Sequence, residues 1–168
     1  MMKNFTLGLR WKNLFWLLIS AVIIVLDQWS KLAVADQFVL YESRPVTDFF
    51  NLVLVHNHGA AFSFLADAGG WQRIFFSAVA IIVSMVLVVW LCRLSEKERV
   101  LAIALPLVIG GAIGNLIDRL AYGYVIDFLD FYVGSYHWPA FNVADIAVST
   151  GAFLLFVDAL FLQQSEQK

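Results

Sequence analysis

Two stretches of this chain leave it little choice of solvent. Residues 74–92 run 19 positions without a charged side chain and residues 100–117 run 18, and about 20 mostly apolar helical residues cross the hydrocarbon core of a bilayer. Two further candidates carry polar interruptions. Residues 14–26 are uncharged up to Asp27, and apolar character resumes after Lys31 as far as Ala35; residues 143–162 hold Asp145 near the start and Asp158 near the end. The whole chain is 61% hydrophobic and 14% charged, with mean hydropathy +0.79, against about 45–50% and about 25% in soluble domains. The expected fold class is an all-α membrane protein: four transmembrane helices over about 14–35, 72–93, 99–121 and 143–162, in one integral membrane domain spanning 1–168.

A basic amino terminus (Lys3, Arg10, Lys12), an apolar run and Ala33-Val34-Ala35 imitate a cleavable secretory signal. Asp27 and Lys31 argue for a retained helix instead: they stand four residues apart, in the order that favours pairing on one helix face. Orientation follows from basic residues in the flanks. Arg93, Lys97 and Arg99 between the second and third spans, with the amino-terminal three and Lys168, outnumber Arg44 and Arg73 on the other side. Both termini are therefore expected in the cytoplasm. The outside receives residues 36–70, with strand character at 49–55, and a shorter connection over about 123–142. Tryptophans 11, 29, 71, 90 and 138 fall at or near span ends, as an interfacial aromatic belt requires.

Composition excludes several function classes. Eleven Lys and Arg against 13 Asp and Glu give net charge −2, which offers no footprint for nucleic acid. Cys92 alone makes neither a disulfide nor a thiolate cluster. His56 and His58 flank Asn57 at a spacing that two zinc ligands on a strand can share, but loop histidines are commoner and no metal or cofactor is expected. The spacing of Gly110 and Gly114 reads as a face for close helix packing.

Ionisable groups at membrane depth are costly, about 2.5–3.5 kcal/mol at least, and mark function by default. Asp27, Lys31, Asp118, Arg119, Asp127, Asp145 and Asp158 qualify. The third span runs outward to about Leu120, and Gly123 can end it, so Asp127 lies just beyond. The fourth runs inward from Val143 and begins with Asp145, so the two carboxylates reach similar depth. Asp158 is 13 residues further on, roughly 20 Å deeper. Asp130 would share a face with Asp127 if that stretch were helical, so it stays open as the partner. Two close carboxylates share one proton, which suits aspartyl peptidase chemistry, one acting as base on water and the other as acid. The same acids also suit a small proton-coupled carrier or a structural charge pair. Asn115 and Asn142 either orient such acids or satisfy helix-end backbone groups.

Four blocks resemble the lipoprotein signal peptidases of bacteria (type II signal peptidases): residues 27–31 (DQWSK); Asn51 with 57–63 (NHGAAFS); 110–119 (GGAIGNLIDR) leading into 125–128 (VIDF); and 141–145 (FNVAD). The resemblance implies a membrane aspartyl endopeptidase with Asp127 and Asp145 as catalytic dyad. It implies that Asn57, Gly59, Asn115, Arg119 and Asn142 bind substrate or brace the site, and that Asp27, Lys31 and Asp118 are mainly structural. The substrate it implies is a prolipoprotein bearing diacylglycerol, cut just before the lipidated cysteine at the outer face of the bacterial inner membrane. Membrane lipid is then the other partner, inhibitors are cyclic peptides of the globomycin type, and no oligomer is required. The segment over 36–70 is implied to form an extracytoplasmic β-rich cradle, with a lid loop around 56–64. Ile146 departs from the small or hydroxyl residue common after the second aspartate.

Overall fold

A computed structural model describes residues 9–59 and 70–162. Motif residues 60–63, most of the expected lid, Lys3 and Lys168 lie outside them. Four helices are long and apolar enough to span a membrane, and a four-stranded antiparallel sheet caps one end of the bundle.

The first helical rod covers Trp11–Gln37, beginning as a 3₁₀ turn at Trp11–Trp16 and continuing as α1 (Leu17–Gln37). It overruns the expected 14–35 at both ends, because helical backbone carries on past the apolar stretch into flanks that water and headgroups solvate. α1 leads into β1 (Ser43–Thr47) and β2 (Phe50–Asn57). Gly70, at φ 94°, precedes α2 (Trp71–Arg93). α3 (Arg99–Ala121) ends just before Gly123, whose φ of 88° turns the chain back into β3 (Val125–Val133). β4 is two residues, Tyr136–His137, and α4 (Val143–Val157) continues as a π-helical turn over Asp158–Leu162.

α3 is the central helix: more than half of its apolar window is buried, against less than a quarter for each of the others. Leu91, Leu101 and Leu105 form its apolar core with α2. The outward faces keep Phe15, Val25, Ile74, Ile82, Phe153 and Phe156 exposed, as lipid rather than water would require. Glycines set how closely the helices approach. A Cβ on Gly110 would lie 3.0 Å from Ser20 Cα and Ile23 Cβ of α1, and one on Gly114 would lie 2.6 Å from Asp27 Oδ2, so both glycines of the small-residue face meet α1. Gly111 faces the other way, where a Cβ would come 2.3 Å from the Ala144 carbonyl of α4. Gly111→Ala therefore has to push α3 and α4 apart. We expect it to destabilise the protein by about 1–3 kcal/mol, read as a lower melting temperature in detergent.

The sheet runs β1-β2-β3-β4 and sits where α1 and α3 end and α2 and α4 begin. β2 is the strand expected from residues 49–55; the other three have weaker local signals. β1 contains Pro45 and is exposed throughout, as an edge strand tolerates. β3 is buried along most of its length, with Ile126 and Phe128 packed among Val34 and Leu54. A strand covered on both faces reads as a continuous apolar run and lacks the alternation that identifies exposed strands. That burial brings Asp127 into the interior.

Candidate active site

Asp145 is placed by its own helix start. Asn142 is the N-cap of α4: its Oδ1 accepts the Asp145 N–H at 3.0 Å, and Asp145 Oδ2 accepts the Asn142 N–H at 3.2 Å. This reciprocal capping box explains the Asn-x-x-Asp spacing and fixes the carboxylate in the first helical turn, where the helix dipole favours negative charge. Asp127 comes from β3, opposite Val55 of β2. The Asn142 amide joins the two, since its NH₂ donates to Asp127 Oδ1 at 2.7 Å while the same residue caps Asp145.

Every oxygen of the two carboxylates receives an N–H. Asn57 donates to Asp127 Oδ2 at 2.9 Å and Asn115 donates to Asp145 Oδ1 at 2.8 Å. The three amides have determined orientations. Asn115 Oδ1 faces the Lys31 ammonium at 2.9 Å, a group that can only donate, so its NH₂ must point to Asp145. Asn57 Oδ1 accepts the Gly59 N–H at 2.9 Å, which turns its NH₂ toward Asp127. Burial, and then the neighbouring Asp145 charge, push the Asp127 pKa up to about 7 against the opposing hydrogen bonds from Asn57 and Asn142. Both acids line a cavity of about 510 Å³, and Trp138, Pro139, Ala140 and Phe141 form part of its wall. Arg119 also lines it, donating from Nη2 to the Gly59 carbonyl at 3.0 Å, with its guanidinium 5.3 Å from the Phe76 ring centre. Two carboxylates braced by amides on the wall of one cavity can share a proton and polarise a water beside them.

A family model described as Signal peptidase (SPase) II matches residues 19–161. The chain belongs to the signal peptidase II family. Lipoprotein signal peptidases of Cupriavidus taiwanensis and Acinetobacter baumannii are 56% and 49% identical to it, over 88% and 93% of this chain and 83% and 89% of theirs. A bacterial membrane enzyme solved by the in meso method at 2.3 Å resolution superposes with TM-score 0.81 at 30% identity, covering 100% of this chain and 96% of that one. Membership makes the chain an aspartic endopeptidase and, with its four apolar helices, a multi-pass protein of the bacterial inner membrane. The carrier alternative gives way to this assignment.

The remaining polar residues of the peptidase sort by what they touch. Lys31 spends its three hydrogens on Asp27 at 2.8 Å, Asp118 at 2.9 Å and Asn115. Asp27 Oδ1 in turn accepts the Ala144 N–H at 2.9 Å, and Asp118 Oδ2 accepts the Ile126 N–H at 3.1 Å. These charges therefore hold the residue immediately before each aspartate. Sequence reasoning gave no role to Gln28, whose NH₂ donates to Asp118 Oδ1 at 2.8 Å and the Gly114 carbonyl at 3.1 Å. It also missed the Trp138–Phe141 wall.

Asp130 does not join Asp127. The stretch is a strand, where positions three apart point to opposite faces, and Asp130 meets Asn51 and His137 instead. Asp158 lies at the far end of α4 from Asp145, buried and partnered, away from the dyad as its spacing requires. His56 stacks on Tyr124 at 3.8 Å and His58 meets the same ring edge-on at 5.5 Å. Among the described residues no group of three potential metal-binding side chains forms.

Proposed function

We propose that the chain, acting as a single integral membrane domain, removes signal peptides from diacylglyceryl-modified prolipoproteins by cutting just before the lipidated cysteine, with Asp127 and Asp145 activating water. The observation that carries this reading is the Asn142 residue shared by two carboxylates, Asp127 buried and Asp145 partly buried, on the wall of one cavity. The raised pKa of Asp127, about 7, suits it to carry the pair's shared proton up to neutrality. Asp145 takes a proton from water as its oxygen attacks the scissile carbonyl, and Asp127 protonates the carbonyl oxygen. On collapse Asp145 gives its proton to the leaving nitrogen while Asp127 recovers one from the tetrahedral hydroxyl, which restores the starting state.

Topology supports the substrate class. Arg10, Arg93, Lys97 and Arg99 gather at the end of the bundle away from the sheet, tied there by Arg10 N–H donating to the Cys92 carbonyl at 2.7 Å. By the positive-inside rule this clustering supports cytoplasmic termini and a dyad at the outer boundary. A diacylglyceryl anchor holds a peptide bond at that boundary, so the enzyme searches two dimensions for it. Asn57, Gly59, Asn115, Arg119 and Asn142 brace the acids or the bound chain, cyclic peptides of the globomycin type fill the same cavity, and one chain supplies every site residue.

The test is purified protein in lipid with a diacylglyceryl-modified precursor and its unlipidated counterpart. Cleavage of the first alone, with mass spectrometry placing cysteine at the new amino terminus, is the expected result; equal cleavage of both contradicts the substrate assignment. Activity should also depend on pH with a definite sign. Because the Asp127 pKa is raised, its proton is present below about pH 7 and lost above it, so turnover falls as pH rises through neutrality. It falls again in acid, when the second carboxylate is protonated. A rate unchanged from strongly acid to strongly alkaline solution would contradict a shared proton.

A further inference from the structure

The face of β3 opposite Asp127 carries a second polar cluster that the proposed chemistry leaves unused. Asp130 accepts from Asn51 Nδ2 at 2.8 Å, directly across the strand pair, and both its oxygens lie within 3.0 Å of His137 Nδ1. Asp130 is buried and the His137 side chain is about half exposed. The His137 ring also stacks on Tyr132, with centroids 5.1 Å apart and planes 15° from parallel. Three strands are thus pinned together on one face by a carboxylate that accepts from both neighbours.

The location of this pin gives it a consequence. β4 is only two residues long and is paired to β3 through Tyr132–His137 and Val133–Tyr136 alone. So short a strand holds weakly by its backbone ladder. Immediately after His137 the chain runs through Trp138, Pro139, Ala140 and Phe141, which line the same cavity as the two aspartates. The wall's attachments include the Trp138 N–H to the Phe131 carbonyl at 2.7 Å, the exchange between Phe141 and Leu129, the Phe128 N–H to the Phe141 carbonyl at 3.0 Å and the Phe141 ring stacked on Phe131 at 5.9 Å, so Phe141 is held more firmly than the end next to His137. Pro139 donates nothing, and the turn at Gly134 on the other side of β4 is exposed.

We propose that His137 is a positioning residue: its bond to Asp130 fixes the Trp138–Phe141 segment, and so sets how tightly the cavity grips the peptide flanking the scissile bond. This rests on the peptidase reading above. His137 touches no reacting atom, so it governs substrate binding and leaves the chemical step alone. Uniform loss of binding raises KM at constant kcat.

The experiment uses the full-length protein in lipid and three variants, His137→Ala, Asp130→Ala and His137→Asn. In Asn the amide nitrogen stands where His Nδ1 stood and can donate to the same carboxylate. Expected are a KM for the lipidated precursor about tenfold higher in both Ala variants, kcat within about twofold of wild type, and recovery of most of the loss in His137→Asn. Hydrogen–deuterium exchange at residues 135–141 should quicken in the Ala variants and return toward wild type in His137→Asn. Unchanged KM, a fall in kcat at constant KM, no rescue by Asn, or unaltered exchange over the wall each overturns the proposal. If wild-type protein fails to cleave the precursor, the peptidase reading falls, and the exchange arm still decides whether His137 holds the wall.

Discussion

Replacing Asp127 or Asp145 with Asn lowers single-turnover cleavage of a lipidated precursor by about 1,000- to 10,000-fold, the scale on which a positioned acid or base acts. The four-helix fold is retained in both. Asn is nearly isosteric with Asp, keeps one acceptor oxygen and removes the ionisable proton. Its structural effect is local. At each position both carboxylate oxygens accept an N–H, so the new amide turns one NH₂ toward an existing donor and forfeits one hydrogen bond, about 1 kcal/mol. Melting in detergent should therefore shift by a few degrees while the rate collapses. The two losses should not add: a double Asp→Asn variant is little slower than either single one, since the acid and base act as one unit. A single variant retaining more than a tenth of wild-type turnover would remove the dyad from the mechanism.

The spans and the peptidase class were legible in sequence because they rest on long apolar runs and on short motifs at fixed spacing. Gly110 and Gly114 announced close packing by spacing alone, and the distances to Ser20, Ile23 and Asp27 carry it out. What local sequence did not reveal is anything requiring knowledge of a neighbour. Val125–Val133 reads equally well as the frayed end of a helix or as a buried strand; only its pairing with β2 and its cover of Val34 and Leu54 decide. That decision separates Asp127 from Asp130, whose three-residue spacing joins them on a helix and parts them on a strand. Gln28 sits in a matched motif, yet its bonds to Asp118 and Gly114 cross 90 and 86 positions of chain. The cavity wall at 138–141 was silent for the same reason, as its shape comes from β3 and not from its own composition.

The other large effect concerns a side chain that touches no substrate. Lys31 is 1% exposed, and the carboxylates of Asp27 and Asp118 beside it are as deeply buried. Lys31→Met would leave both acids around an apolar tip, with no counter-charge between them. Breaking a buried ion pair from one side costs about 3–5 kcal/mol, so the variant should melt roughly 10 °C lower. The site should suffer beyond what the lost stability explains. Asn115 Oδ1 loses the shorter of its two donors and keeps the Asn142 NH₂ at 3.2 Å, and Asp27 and Asp118 anchor the backbone N–H groups of Ala144 and Ile126, each one residue before a dyad acid. Even at a temperature where Lys31→Met is fully folded, turnover should fall at least about tenfold, the scale of losing one supporting hydrogen bond to a charged group. Adding Asp118→Asn to Lys31→Met removes one of the two unneutralised charges, so the double variant should melt higher than the single, a coupling expected only of residues in direct contact. If Lys31→Met melts within about 2 °C of wild type, or if the second substitution lowers stability further, these charges do not hold the two aspartates in place.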